Sequence, residues 1–336
     1  MRKLASIRVI SDIKPIPDAD MIEVATVDNW KVVVGKNQFK IDDKVIYFEI
    51  DSFLPIREEF EFLRKSSYKK ISNNLEGFRL RTVKLRGQIS QGLIMPIDIL
   101  PLGNYNVNDD VSEYLGIVKY DPPLPPELEG IAIGNFPSFI QRTDEERIQN
   151  LTSEYKEYQK FKFSASEKMD GQSSTYFLND NEFGVCSRNL QLIFNPNNTF
   201  GKIVVENKID EKLRNLGRNL AIQGEIVGEG ITGNKYKLKG QKLFVYNIFD
   251  IDKYEYLSKK EMLEICKDFN LETVPIIFSN FELSKITIDE LLEIANDKSS
   301  VNTNIHREGL VWVSVNSPER ISFKTISNVF LLKYGE

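Results

Sequence analysis

Histidine is nearly missing from this chain: His306 stands alone among 336 residues. That excludes a metal site built on several imidazoles and leaves little for a Ser-His-Asp triad. The two cysteines, Cys186 and Cys266, are too few for a disulfide framework and point to a reducing compartment. No apolar run approaches the roughly 18 residues that a membrane-crossing helix needs. The opening Met1-Arg2-Lys3-Leu4-Ala5-Ser6-Ile7 turns polar too soon for a secretory signal, so an intracellular protein with no membrane part is expected. A surplus of positive charge is missing too. The net charge is −5, so no global field draws in nucleic acid, and any such contact needs basic residues grouped locally. A metal must be held by carboxylates, water or a substrate phosphate, which favours Mg²⁺ or Mn²⁺.

Basic residues are indeed grouped. Arg64, Lys65, Lys69, Lys70, Arg79, Arg81, Lys84 and Arg86 follow one another with few acids between them. From Phe78 to Gly87 charged and apolar residues mostly alternate, which predicts one strand with a basic face and a buried face. Such a face either tracks phosphates or simply keeps an edge strand soluble. Short strands are also predicted over 22–27, 30–35 and 44–50, a spacing that suggests a small barrel of the OB type over residues 1–118. Four prolines, Pro122, Pro123, Pro125 and Pro126, predict a stiff linker over 119–130. Residues 131–336 mix strands (220–228, 243–249, 309–313) with helices (145–160, 259–269, 288–296) and do not alternate them strictly. An α+β domain of antiparallel sheets and helices is expected there.

That second part carries chemically suggestive residues in series. Lys168-Met169-Asp170-Gly171 puts a lysine on a turn between two apolar runs, where desolvation or positive charge could free its amine for nucleophilic attack. Ser187-Arg188-Asn189 follows. Glu225 interrupts an apolar strand, Tyr246-Asn247-Ile248-Phe249-Asp250 ends one, Glu308 begins one, and Ser322-Phe323-Lys324 closes the series.

This order resembles the covalent nucleotidyltransferases, the ATP-dependent DNA and RNA ligases and mRNA capping enzymes, motif by motif. It is most similar to the fifth ATP-dependent RNA ligase family, which carries its OB domain ahead of an ATP-grasp-like ligase domain. Too little chain follows Lys324 for an OB domain behind it. The segment 143–150 is similar to the lead-in to motif I in many RNA ligases.

The resemblance implies an RNA ligase that joins 3′-hydroxyl and 5′-phosphate ends, with nicked RNA or RNA/DNA duplexes as partners and a monomer as the working form. ATP and Mg²⁺ or Mn²⁺ are the implied cofactors. Lys168 is the implied carrier of AMP, and Lys324 a donor to the α-phosphate. Glu167, Arg147, Arg188, Glu225, Phe249 and Val311 are implied to contact ATP, Phe249 by stacking on the purine and Val311 from the other face. Glu225 and Glu308 are implied to organise the metal. Motif V is Lys-x-Lys in many relatives, whereas Lys324-Thr325-Ile326 lacks the second lysine. A GTP-dependent capping enzyme and a nucleic-acid-binding protein with a decayed transferase domain are the alternatives.

Overall fold

The computed structural model describes residues 3–72, 75–121 and 130–335. The amino-terminal part is built on an antiparallel sheet of β1 (Ala5–Pro15), β2 (Ile22–Val27), β3 (Trp30–Gly35), β4 (Lys44–Phe48) and, after the elements below, β10 (Leu93–Pro96). The order is β10-β4-β1-β2-β3. The sheet curls until its edge strands β10 and β3 touch, which gives the OB-like barrel. Alternation drives this: Trp30, Val32 and Val34 of β3 point inward with Ile10, Val45 and Tyr47. A second sheet, in the order β11-β5-β7-β6, combines β5 (Ser52–Pro55), β6 (Tyr68–Ser72), β7 (Leu75–Arg79) and β11 (Val118–Lys119). Two short helices, α1 (Arg64–Ser67) and α2 (Ser112–Leu115), and the hairpin β8 (Val83–Leu85) with β9 (Gln88–Ser90) complete this part.

The basic segment departs from the expected single strand. It breaks after Arg79, and Val83, Lys84 and Leu85 of β8 are all exposed, so no buried face exists there. The turn at Arg86-Gly87, with φ values of 48° and 84°, makes a hairpin of what alternation presented as one run. The prolines of the expected linker lie outside the described residues.

The carboxy-terminal part contains two sheets. The larger runs β12 (Ala132–Asn135), β16 (Leu190–Leu192), β15 (Glu182–Cys186), β14 (Gln172–Asn179), β17 (Leu220–Gly228), β18 (Gln241–Asp250), β19 (Glu255–Tyr256). The short β20 (Glu272–Thr273) pairs with β18 in parallel. The smaller runs β21 (Ile276–Glu282), β13 (Lys162–Lys168), β22 (Gly309–Ser314), β23 (Ser322–Ile326), every pair antiparallel. Helices α3 (Thr152–Tyr158), α4 (Thr199–Asn207), α5 (Ile209–Leu216), α6 (Lys259–Asp268), α7 (Ile288–Ala295) and α8 (Asn328–Tyr334) cover their outer faces. Helix α7 shows why such a segment is helical. Thr287 and Glu290 form a capping box, and Ile288, Leu291, Leu292 and Ala295 form one buried stripe.

The helix expected over 145–160 begins late. Only 152–158 is α-helical, after a short 3₁₀ turn, and Arg147 is extended. Asn150 in that turn seats the barrel. Its Oδ1 accepts from Trp30 Nε1 at 2.8 Å, and its Nδ2 donates to Glu146 at 2.9 Å and to Glu49 of the barrel. No described helix is long and apolar enough to cross a membrane.

Candidate active site

Strand register brings remote parts of the chain together in the smaller sheet. Ser166 of β13 lies opposite Val311 of β22, which lies opposite Lys324 of β23, and Lys168 lies opposite Gly309. Glycine is needed at 309 because an added Cβ would stand 2.2 Å from the Thr325 carbonyl oxygen. That contact lets β23 approach and places Lys324 beside Val311.

Lys168 ends β13, and residues 169–171 cross from the smaller sheet to β14 of the larger one. Met169 pins the crossing in an apolar cluster with Val227, Tyr236, Phe244 and Val274. The glycine of Lys-x-Asp-Gly serves packing more than turn formation. Its φ is not in the left-handed region, but a Cβ at 171 would meet the Ile226 carbonyl oxygen at 2.3 Å and Glu225 Cγ at 3.0 Å. The crossing therefore lies flat against β17, and Lys168 shares its surroundings with Glu225.

Lys168 Nζ donates to Glu308 Oε1 at 2.6 Å, with the two side chains 29% and 13% exposed. Burial alone pushes the Lys168 ammonium towards losing its proton. The attraction of Glu308 and Glu225, the Glu308 hydrogen bond and the charge of Asp170 outweigh it, so its pKa lies above the ordinary lysine value. Burial pushes the Glu225 carboxyl up to about 8. Lys168 opposes that rise, and the neighbouring carboxylates Glu308 and Asp170 add to it.

These groups open onto a cleft of about 1380 Å³ between the barrel and the two sheets, whose walls include Glu167, Arg147, Arg188, Val311 and Lys324. Arg147 is 4% exposed and forms an isolated parallel bridge with Lys324. The Lys324 N–H donates to the Glu146 carbonyl at 2.8 Å. Glu167 is 1% exposed. Its Oε2 accepts from the Ser300 N–H at 2.7 Å, and its Oε1 has no hydrogen-bond partner among the described residues. Three cations from separate elements converge on the exposed Asp144 carboxylate: Arg188 at 3.4 Å, Lys324 at 3.8 Å and Lys119 of β11 at 3.9 Å. The arrangement can hold a polyanion close to an amine.

Phe249 does not reach the cleft. It is fully buried, with Ile140, Phe177 and Ala221, and meets the rings of Tyr254 and Tyr256 at 5.2 Å each. The aromatic of β18 that lines the cleft is Tyr246. The β17–β18 register slips there: Gln223 pairs with Asn247 but Gly224 with Val245, which leaves Tyr246 unpaired in a bulge. A bulge turns its residue aside, and an alternation pattern does not announce it. At the place of the missing motif V lysine, Ile326 is 3% exposed and lines the cleft as an apolar side chain.

Among the described residues, no three His, Cys, Asp or Glu side chains are grouped to hold one ion. Glu225 and Glu308 nevertheless fit a divalent cation. Their crowding with Asp170, which keeps Glu225 protonated past neutral pH, is what a nearby positive ion relieves. The remaining ligands would fall to phosphate and water.

Sequence reasoning missed Lys119, Asp144 and Tyr246. Lys119 stood at the edge of the expected linker, and no local pattern marks a residue that reaches its site only through domain packing. Tyr246 was visible as an aromatic three places from Phe249, within the same motif.

Residues 161–333 match the RNA ligase family, and residues 4–97 match an OB-fold domain. No curated protein matches the chain. Several solved structures of an RNA ligase from Naegleria gruberi are similar to it over nearly its whole length. One, a lysine-to-methionine mutant with AMP and Mn, is 42% identical with a TM-score of 0.90, covering 98% of this chain and 98% of that one. Another, with PPi, is 42% identical with a TM-score of 0.89 and the same coverage of both chains, 98% and 98%. A lysine-to-alanine mutant with ATP and Mn is 41% identical with a TM-score of 0.90, covering 98% of each chain.

Proposed function

This chain belongs to the RNA ligase family, and on that footing we propose that it seals RNA 3′-hydroxyl and 5′-phosphate ends with ATP and Mg²⁺ or Mn²⁺, through an AMP carried on Lys168. The observation that carries the reading is the Lys168 amine, 2.6 Å from Glu308 Oε1, in a cleft that also holds Glu225, Arg147, Arg188 and Lys324. Residues 1–118 serve as the nucleic-acid-binding barrel, 119–130 as the linker and 131–336 as the adenylyltransferase.

In the first step Lys168 Nζ attacks the α-phosphorus of ATP. A nitrogen–phosphorus bond forms, the bond to the β-phosphate bridge breaks, and pyrophosphate leaves. The amine must first lose its proton, and Glu308, its hydrogen-bond acceptor, aims it. Between Glu225 and Glu308, a divalent cation supplies positive charge that favours the neutral amine and offsets phosphate charge. Lys324 and Arg147 donate to the α-phosphate as negative charge grows on it. Lys119 and Arg188 supply cationic contacts in a chain whose motif V ends in Ile326.

Glu167 argues for adenine. A carboxylate oxygen with no partner accepts from the exocyclic amine of adenine and repels the carbonyl oxygen that guanine carries there. Tyr246 supplies the stacking face that Phe249 cannot, and Val311 lies on another wall of the cleft. In the second step AMP passes from Lys168 to a 5′-phosphate. In the third, a 3′-hydroxyl attacks that activated phosphate and AMP leaves. Nicks in duplexes are the proposed substrate, gripped through the exposed basic residues Lys65, Lys69, Lys70, Arg81, Lys84 and Arg86 of the barrel.

The test is incubation with α-labelled ATP and Mg²⁺ or Mn²⁺, followed by sealing of nicked duplexes carrying RNA or DNA at the 3′-hydroxyl. A labelled covalent adduct that vanishes in Lys168→Ala, and sealing that favours RNA, are expected. An adduct that persists in Lys168→Ala would sink the assignment.

A further inference from the structure

We propose that Lys235 is a positioning residue for adenylylation: by clamping Asp170 it fixes the crossing that carries Lys168, and helix α8 holds Lys235 in place. The inference rests on the ligase reading above.

The segment between β17 and β18 grips residue 170 at three points. Thr232 Oγ1 donates to the Asp170 carbonyl at 3.1 Å, the Asp170 N–H donates to the Tyr236 hydroxyl at 2.8 Å, and Lys235 Nζ forms an ion pair with Asp170 Oδ2. A segment that binds the N–H, the carbonyl and the carboxylate of one residue fixes both its backbone and its side chain. The grip is itself anchored. Tyr236 is buried beside Met169, Asn234 closes the segment by pairing with both backbone groups of Leu238, and the Lys235 carbonyl accepts from Asn302 Nδ2 at 3.2 Å.

Lys235 is held as few surface lysines are. Its side chain and that of Asp170 are each 19% exposed. Its ammonium lies 5.0 Å from the ring centre of Phe330 and 5.0 Å from that of Tyr334, both on α8. Two aromatic faces favour a cation at that spot and limit its rotamers. An ordinary exposed ion pair contributes little because its partners stay mobile. Here both partners are restrained from several sides.

Neither Lys235 nor Asp170 lines the cleft, whereas Lys168, Met169 and Gly171 do. The pair therefore acts on the reaction through the backbone. Lys168 is free to drift at the end of β13 unless the following residues are tied down, and Gly171, with only a hydrogen for a side chain, offers no grip of its own. Asp170 is the handle, and Lys235 holds it.

The experiment compares Lys235→Met, which keeps the stem and removes the charge, with Lys235→Arg, which keeps the charge. Single-turnover lysyl-AMP formation, the KM for ATP, sealing of a pre-adenylated RNA strand and the melting temperature are measured. Lys235→Met is expected to slow lysyl-AMP formation by about 10–100-fold, the loss that misplacing a reacting group produces. Its KM for ATP and its sealing of pre-adenylated RNA, which does not use the Lys168 amine, are expected to stay near wild type. Lys235→Arg is expected to recover most of the rate. Tyr334→Leu, at a half-buried position on α8, should slow the same step alone and more mildly, and it serves as the deciding variant if Lys235→Met does not fold. A wild-type rate in Lys235→Met, equal losses in adenylylation and pre-adenylated sealing, or an unaltered rate in Tyr334→Leu when that variant decides would overturn the proposal. A wild-type protein that forms no lysyl-AMP would instead overturn the ligase reading beneath it.

Discussion

Glu225 and Lys168 come from different sheets, yet the burial that lifts the Glu225 carboxyl to about 8 is opposed first of all by the Lys168 charge. The site without its cation is thus a strained balance of acids around one amine, and its pH response follows from that balance. Between about 4.5, the ordinary glutamate value, and about 8, folded Glu225 keeps a proton that the unfolded chain has lost. Folding stability therefore falls as pH rises through that window. Glu225→Gln should flatten the slope and melt higher than wild type at pH near 8, by a few kcal/mol at most. Melting curves of chelator-treated protein at several pH values test it. A wild-type slope in Glu225→Gln would contradict it.

The two aromatics of β18 should separate cleanly. Tyr246→Leu should raise the KM for ATP about tenfold, since stacking on a base contributes roughly 1–3 kcal/mol, with little loss of melting temperature. Phe249→Leu removes a ring from a fully buried cluster, so it should lower the melting temperature and leave the KM near wild type. ATP titration of lysyl-AMP formation together with calorimetry checks both. The reverse pattern would restore Phe249 as the purine contact.

Glu167→Gln should erode the choice of nucleotide. The amide can offer an N–H to the guanine carbonyl where the carboxylate repels it, and the ATP-to-GTP ratio of kcat/KM is expected to drop by about tenfold or more. The labelled-adduct assay run with each nucleotide measures that ratio. An unchanged ratio would remove Glu167 from base recognition.

Asp144 occupies, with its own negative charge, the meeting point of Arg188, Lys324 and Lys119. Triphosphate must compete with it. Asp144→Asn should lower the KM for ATP by about threefold at low salt, the scale of an exposed ion pair, and the gain should fade as salt screens the site. A KM that rises would mean that Asp144 organises the cations more than it occupies them.

Much of this was legible in the chain. Strands 22–27 and 30–35 lie where alternation put them, because each buries one face in a barrel and period two records that. The order of Lys168, Arg188, Glu225, Glu308 and Lys324 was readable because each is a charge set beside a strand that would otherwise be apolar. What failed has physical causes. The bulge at Tyr246 shifts register without a residue that marks it. The extended stretch at Arg147 owes its shape to the bridge with Lys324, a partner far along the chain, and helical spacing of Ile148, Leu151 and Tyr155 could not reveal that. The hairpin at Arg86-Gly87 mimics a continuous strand because its two arms alternate alike. Lys119 reaches its place only when the barrel docks.

The contact of Gly171 with the Ile226 carbonyl, where a Cβ would stand only 2.3 Å away, has an evolutionary consequence. The interval between the nucleophile and its acidic neighbour is ruled by main chain resting on main chain. Apolar side chains beneath the crossing can be exchanged over generations and the gauge will hold. Lineages can remodel the interior at leisure, while a single methyl at position 171 is forbidden to all of them.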